Sequence, residues 1–357
     1  MTLTRRALLA TAPVLALGAT HAARAAPRAR PLVIAHRGAS GERPEHTPTA
    51  YRLAVEQGAD FIEPDLVITR DGHLVARHEN EIGGTTDVAA KPEFASRKTT
   101  KVIDGQSVDG WFTEDFTLAE LKTLRCRERL PQLRPGNTAF DGQDAIPTFD
   151  EVCAIARDMG VGVYPEMKHP RHFASVGLAF EPRMAAALKA NNLDSPEAKV
   201  FVQCFEVAPL KTLRTLTKAK LVQLIDSEGA PADAPGFTYA EMTGAAALRA
   251  IAAYADGVGP EKGYVIPTDG RDLLPVTGFV ADAHAAGLKV HPWTVRAENY
   301  FLPAALQRPG SEPGPDAPRL HGDVATLLKA LYEAGVDGVF ADFPGLADEA
   351  RRAWMFS

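Results

Sequence analysis

From residue 32 to the C-terminus the chain repeats one unit: a short apolar run, then a longer stretch with helical spacing. The apolar runs are residues 32–35, 61–69, 161–167, 200–205, 221–225, 257–259, 289–295 and 338–341. Helical segments between them include residues 49–58, 148–160, 206–218, 277–286 and 323–334, with Gly58 as a stop signal and Thr148 as a candidate N-cap. Regular alternation of strand and helix points to a parallel sheet covered by helices. Eight such units within 357 residues favour an α/β fold closed into a (β/α)8 TIM barrel over an open doubly wound sheet. No Gly-x-Gly-x-x-Gly turn follows the first run, which argues against a dinucleotide site.

The repeat is broken once. After a short strand at 74–78, residues 79–146 are rich in polar residues, Gly and Pro and hold no strong period. They read as a subdomain insertion after the second strand, packed over one end of the barrel. Residues 308–318, also rich in Pro and Gly, read as a surface loop without an assigned function.

Residues 1–25 read as a secretory signal: Arg5 and Arg6, an apolar run at 7–19 too short to span a bilayer, and a small-x-small cleavage site at Ala23-Arg24-Ala25. Thr4-Arg5-Arg6-Ala7-Leu8-Leu9 resembles a twin-arginine signal, with ordinary Sec export as the alternative. The expectation is a periplasmic or secreted protein, residues 26–357, without a stable membrane anchor. The net charge of −6 includes the three arginines of the signal, so the remainder carries −9, which is poorly suited to nucleic acid. Cys126, Cys153 and Cys204 show no metal-binding spacing and read as buried thiols, one disulfide being the alternative after export.

The active site of a parallel barrel lies at the C-terminal ends of its strands, and polar residues collect there: His36 and Arg37, Glu63 and Asp65, Glu166 and Lys168, Gln203 and Phe205, His291 and Trp293, and Asp342. Glu63 and Asp65 are two apart in a strand and face the same way, as do Glu166 and Lys168. Buried carboxylates cost several kcal/mol each unless paired, on the order set by charge burial. A hard divalent cation, Ca2+ or Mg2+ rather than Zn2+, would reconcile three of them. Structural ion pairs of Glu63 and Asp65 with Lys168 and Arg37 are the competing explanation. His36 and His78 beside this cluster suit an acid/base pair, although a lone histidine at a strand end is more often a core or surface residue.

At these positions the sequence resembles the glycerophosphodiester phosphodiesterase family, and its periplasmic bacterial members most. The resemblance is carried in order by His36-Arg37-Gly38-Ala39-Ser40-Gly41, Pro44-Glu45-His46-Thr47, Gly58-Ala59-Asp60-Phe61-Ile62-Glu63-Pro64-Asp65-Leu66, Thr69-Arg70-Asp71-Gly72, Val75-Ala76-Arg77-His78 and Pro147-Thr148-Phe149. Tyr164-Pro165-Glu166-Met167-Lys168, Val202-Gln203-Cys204-Phe205, Val290-His291-Pro292-Trp293-Thr294-Val295-Arg296 and Asp337-Gly338-Val339-Phe340-Ala341-Asp342-Phe343-Pro344 follow. Pro64 and Met167 depart mildly from the commoner residues, but both flank the ligand positions.

The resemblance implies that Glu63, Asp65 and Glu166 hold one divalent cation, Ca2+ favoured, and that His36 and His78 are the general acid/base pair. It implies phosphate contacts from Arg37 and Lys168, and a glycerol side shaped by Phe205 and Trp293. The substrate would be a small glycerophosphodiester, hydrolysed through a cyclic phosphate to sn-glycerol 3-phosphate and an alcohol. Residues 79–146 would match the family's extra subdomain. Two alternatives remain: a phospholipase D-like enzyme on the same barrel, with Trp111, Phe112 and Phe116 near its mouth, and a non-catalytic exported binding protein. Head-group preference and oligomeric state have no sequence signal.

Overall fold

The computed structural model describes residues 29–308, 314 and 316–357. The signal read at residues 1–25 lies outside the described residues, as does part of the loop at 308–318.

Eight parallel strands close into a barrel among the described residues. They are Leu32–His36; Phe61–Glu63 with Asp65–Ile68; Gly162–Val163 with Glu166–Met167; Phe201–Cys204; Lys220–Ile225; Gly257–Pro260; Lys289–Val290; and Gly338–Ala341. The first strand pairs with the second and the eighth. The ring is completed through the seventh, where a parallel bridge joins Val295 to Ala341 and the Phe340 N–H donates to the Pro292 carbonyl at 3.0 Å. The second, third and seventh strands are shorter than their apolar runs suggest. Pro64, Pro165 and Pro292 interrupt them, because a proline has no N–H to give to the ladder.

A helix follows each strand: Pro48–Glu56, Phe149–Met159, Phe180–Ala190, Val207–Arg214, Ala245–Ile251, Phe279–Ala285, Val324–Glu333 and Pro344–Met355. Phe149–Met159 shows why the boundaries fall where they do. Thr148 and Glu151 form a reciprocal capping box at its start, and Gly160 ends it at φ 77°. Its face of Phe149, Val152, Cys153 and Ala156 is buried.

Side chains alternate across the strands. Val33, Ala35 and Ile62 join the large core between barrel and helices. Ile34, Phe61, Tyr164, Phe201, Val222 and Phe340 pack together in a second cluster that fills the barrel interior. His291 belongs with this interior, not with the mouth residues. It is buried, its Nδ1 lies 2.8 Å from the Tyr164 hydroxyl, and its ring meets Phe201 edge-on.

Residues 79–146 contain an antiparallel hairpin, Thr99–Ile103 with Gln106–Gly110. Its Asp104-Gly105 turn has φ of 47° and 84°, the mirror-image turn that matches strand twist. Ile82, Val88, Phe94, Phe116, Leu121, Leu124 and Cys126 of this stretch belong to the same buried cluster as the barrel and its helices. Phe112 and Phe116 are fully buried and Trp111 packs against the core, so these aromatics stabilise the segment. All three cysteines are buried free thiols.

Candidate active site

The strand register decides which side chains meet. His36 pairs with Glu63, and Asp65, Glu166 and Gln203 form one row across three neighbouring strands. This gathers Glu63, Asp65 and Glu166 so that one oxygen from each lies within 4.8 Å of the others, all buried. A cavity of about 240 Å³ opens above them. His36, Arg37, His78, Lys168, Gln203, Phe205 and Trp293 also line it; of the residues singled out in the sequence, Asp65, His291 and Asp342 do not reach its wall. Asp65 stands behind that wall, in contact with Arg37 and His46.

Ion pairing occurs within the cluster but does not neutralise it. Lys168 Nζ lies 2.9 Å from Glu166 Oε1, and Arg37 Nε 3.2 Å from Asp65 Oδ2. Glu63 receives only the Arg37 backbone N–H at 2.8 Å and the Gln203 amide at 3.2 Å. Burial, then the charges of Asp65 and Glu166, hold its carboxyl well above the usual carboxylate range. Glu166 is pushed up to about 8 by burial and Asp65, against the pull of Lys168. Asp65 goes the other way: burial raises it, but Lys168, Arg37, His78 and the His46 hydrogen bond outweigh that. Three buried carboxylates that resist simultaneous ionisation form a hard-oxygen donor set that fits a divalent cation.

The two histidines are set alike. His36 Nδ1 lies 2.6 Å from Asp342 Oδ1, and His78 Nδ1 lies 2.7 Å from Glu79 Oε1. In each ring Nε2 is the nitrogen left for other contacts, and in His78 it accepts from Lys168 Nζ at 3.2 Å. Burial and then Arg37 lower His36 to about 4 despite Asp342, and burial, Arg37 and Lys168 lower His78 to about 3. Both rings are therefore neutral at rest, and an anion placed among them would raise both values.

The chain leaves the first strand through two left-handed residues, Arg37 at φ 62° and Gly38 at φ 86°. A Cβ at Gly38 would stand 2.7 Å from the Ala50 carbonyl carbon, so glycine is needed there. This turn aims the Arg37 N–H at Glu63 and sends its Nη1 to Glu45 at 2.9 Å.

Several supporting residues had no role assigned from sequence. His46, fully buried, holds Asp65 Oδ2 at 2.9 Å through Nε2 and the Tyr51 hydroxyl at 2.9 Å through Nδ1. Asp342 also meets Arg134 Nη2 at 2.5 Å and Arg296 Nε at 3.0 Å. The Pro44-Glu45-His46-Thr47 stretch was the available signal for His46; Arg134, in the aperiodic segment, had none.

A barrel with acids, bases and cations gathered at the C-terminal ends of its strands has the architecture of an enzyme. The family model described as "Glycerophosphoryl diester phosphodiesterase family" matches residues 36–346, and the chain belongs to that family. A glycerophosphodiester phosphodiesterase of Arabidopsis thaliana is 38% identical over 330 residues, covering 88% of this chain and 84% of the relative. One of Haemophilus influenzae is 31% identical over 345 residues, with 88% and 87% covered. Among solved structures, an Oleispira antarctica phosphodiesterase in complex with the product sn-glycerol-3-phosphate aligns with a TM-score of 0.58 at 22% identity, over 90% of this chain and 96% of that one. That likeness shows the shared barrel. The protein is accordingly a phosphoric diester hydrolase of the glycerophosphodiester phosphodiesterase type.

Proposed function

We propose that the enzyme hydrolyses small glycerophosphodiesters to sn-glycerol 3-phosphate and an alcohol, with His36 and His78 as the acid/base pair and one divalent cation held by Glu63, Asp65 and Glu166. The observation that carries this reading is the pair of histidines on one cavity wall, each with Nδ1 held by a carboxylate, beside three mutually close buried carboxylates. Ca2+ is favoured over Mg2+ on the resemblance to the periplasmic members of the family, and the all-oxygen donor set accepts either ion.

When bound, the cation supplies positive charge to phosphate oxygens as negative charge builds on them. The remaining work falls to side chains. Arg37 and Lys168 bring fixed positive charge to the same anion. Phe205 and Trp293, edge-to-face at 5.7 Å, give the glycerol chain an apolar wall. Gln203 and Thr294 line the cavity, and Gln203 Oε1 and Thr294 Oγ1 are buried without a hydrogen-bond partner, which leaves them free to meet hydroxyl groups of a ligand after a small side-chain rotation. One histidine takes the proton of the glycerol hydroxyl next to the phosphate, whose oxygen attacks phosphorus. The other gives a proton to the departing alcohol. Water then opens the cyclic phosphate with the two roles exchanged.

The leader-like residues 1–25 support export to the periplasm or beyond. Among the described residues, no helix is long and apolar enough to cross a membrane. The test is release of glycerol 3-phosphate from glycerophosphocholine, read by a coupled dehydrogenase, with Ca2+, with Mg2+ and with EDTA. Activity should require a divalent cation and should fall about 10²- to 10⁴-fold in His36→Ala, the range for losing a general acid or base. Glu63→Ala should lose the metal response. Equal turnover in EDTA would refute the metal role.

A further inference from the structure

Behind His78 stands a chain of alternating carboxylates and imidazoles. Glu79 Oε1 takes His78 Nδ1 at 2.7 Å, and Glu79 Oε2 takes His169 Nε2 at 3.0 Å. His169 Nδ1 in turn meets Asp104 Oδ2 at 2.5 Å. The links come from three parts of the molecule: the end of the strand before the aperiodic segment, the loop after the third barrel strand, and the hairpin turn within the segment. We propose that Glu79, His169 and Asp104 are positioning residues that fix the orientation and tautomer of His78, so that the hairpin turn at Asp104-Gly105 completes the support of this acid/base group.

Glu79 has two oxygens and one task for each. By accepting the Nδ1–H of His78 it leaves Nε2 bare toward the cavity, the tautomer a base at that position needs. By accepting from His169 it is held in one orientation even though its side chain is half exposed. A half-exposed glutamate held by one hydrogen bond would swing freely; held by two at opposite oxygens, it cannot turn without breaking one. His169 lies among Asp104, Glu79 and Lys168; burial lowers it, but the hydrogen bonds of Asp104 and Glu79 raise it to about 9. It is thus a cation at neutral pH with both ring N–H groups donating. Its hydrogen bond also helps keep Glu79 ionised: burial raises that carboxyl, and the hydrogen bonds of His169 and His78 with the charge of Lys168 outweigh it. His78 itself is faced by Glu79, Lys168, Arg37 and Asp65, and Asp104 also by His172.

The backbone is consistent with a built contact. His169 and Asp104 are both left-handed, at φ 49° and 47°. At Asp104 the conformation belongs to the hairpin turn; at His169 it is one that persists where surroundings enforce it. The other histidine needs no such device, because Asp342 is buried in the barrel wall and fixed by Arg134 and Arg296.

The inference rests on the acid/base role proposed for His78, so its test includes one measurement independent of turnover. Nitrogen-15 histidine NMR of the mature protein, with the His78 signals assigned by their loss in His78→Gln, should show Nδ1 protonated and Nε2 bare. In Glu79→Gln that preference should be lost, and in Asp104→Asn it should weaken. In the glycerophosphocholine assay Glu79→Gln should lower kcat about 100-fold, within the range for a general acid or base, with KM changed less than about threefold. Asp104→Asn should lower it about 3- to 10-fold by loosening the same group. In a His78→Gln background neither substitution should cost more, since effects acting through one residue do not add. An unchanged His78 tautomer in Glu79→Gln would overturn the inference, and so would an equal further loss in the His78→Gln background. If no glycerophosphodiester is turned over, the functional reading fails by itself while the NMR result still decides the positioning chain.

Discussion

Glu166→Gln should make the cation-free protein more stable and the cation-loaded protein less so. Glu166 is buried, and its carboxyl is raised from 4.5 to about 8, first by burial and then, against Lys168, by Asp65. The folded protein therefore keeps a proton that the unfolded chain has released, and stability falls as pH rises from 4.5 toward 8. Each pKa unit is worth about 1.4 kcal/mol, so the cost near pH 8 is roughly 4 kcal/mol. Glutamine has no proton to hold and so escapes that cost, while a weaker hydrogen bond to Lys168 trims the net gain to about 2–4 kcal/mol. Unfolding entropy near 2.1 cal/mol/K per residue converts this to a Tm rise of roughly 3–6 °C for a chain of this size. Calorimetry in EDTA at pH 5 and pH 8 should show little difference between the proteins at the lower pH and the full rise at the higher. His169, raised to about 9, also contributes stability that fades as pH climbs from 6.5 through 9, but it does so in both proteins and cancels in the difference. With Ca2+ added, the wild type should gain stability by mass action and the variant much less. A chelated variant less stable than wild type at pH 8 would refute the reasoning, because it would mean that Lys168 stabilises the carboxylate more than burial and Asp65 destabilise it.

Arg134→Leu should cost about 3–5 kcal/mol in urea unfolding, since it leaves the buried carboxylate of Glu298 without its cation and that of Asp342 with Arg296 alone; a loss below about 1 kcal/mol would show that the remaining contacts suffice. Gly38→Ala should destabilise by about 1–3 kcal/mol and depress kcat by shifting Arg37, because φ is 86° there and the new Cβ meets Ala50. Thr148→Ala should cost about 1 kcal/mol through loss of the capping box and leave kcat unchanged, which separates scaffold stability from chemistry.

The candidate site was legible in the sequence to an uneven degree. Glu63 with Asp65, and Glu166 with Lys168, could be paired from a spacing of two, because strand geometry is periodic and local. His36 could be placed from its position at a strand end, and Thr148 from its cap chemistry. Phe205 and Trp293 could be placed at strand ends and His78 beside the acidic cluster; the resemblance gave Phe205 and Trp293 their part in the site, and the cavity lining brings all three together. The hairpin at 99–110 escaped notice although its Asp104-Gly105 turn is a strong hairpin signal. Its flanking residues are mostly exposed and alternate too little to reveal a buried face.

By itself the sequence determined the architecture: eight runs able to be buried on both faces, separated by helical segments, close into a barrel because few other arrangements cover both faces of that many parallel strands. It also determined which short-range pairs of side chains share a face. Only the tertiary structure decided what supports them. Asp342 reaches His36 across 306 positions, Arg134 reaches Asp342 across 208, and Asp104 reaches His169 across 65. These contacts follow from barrel closure, strand register and the docking of one hairpin turn, and no local period in the chain encodes any of the three.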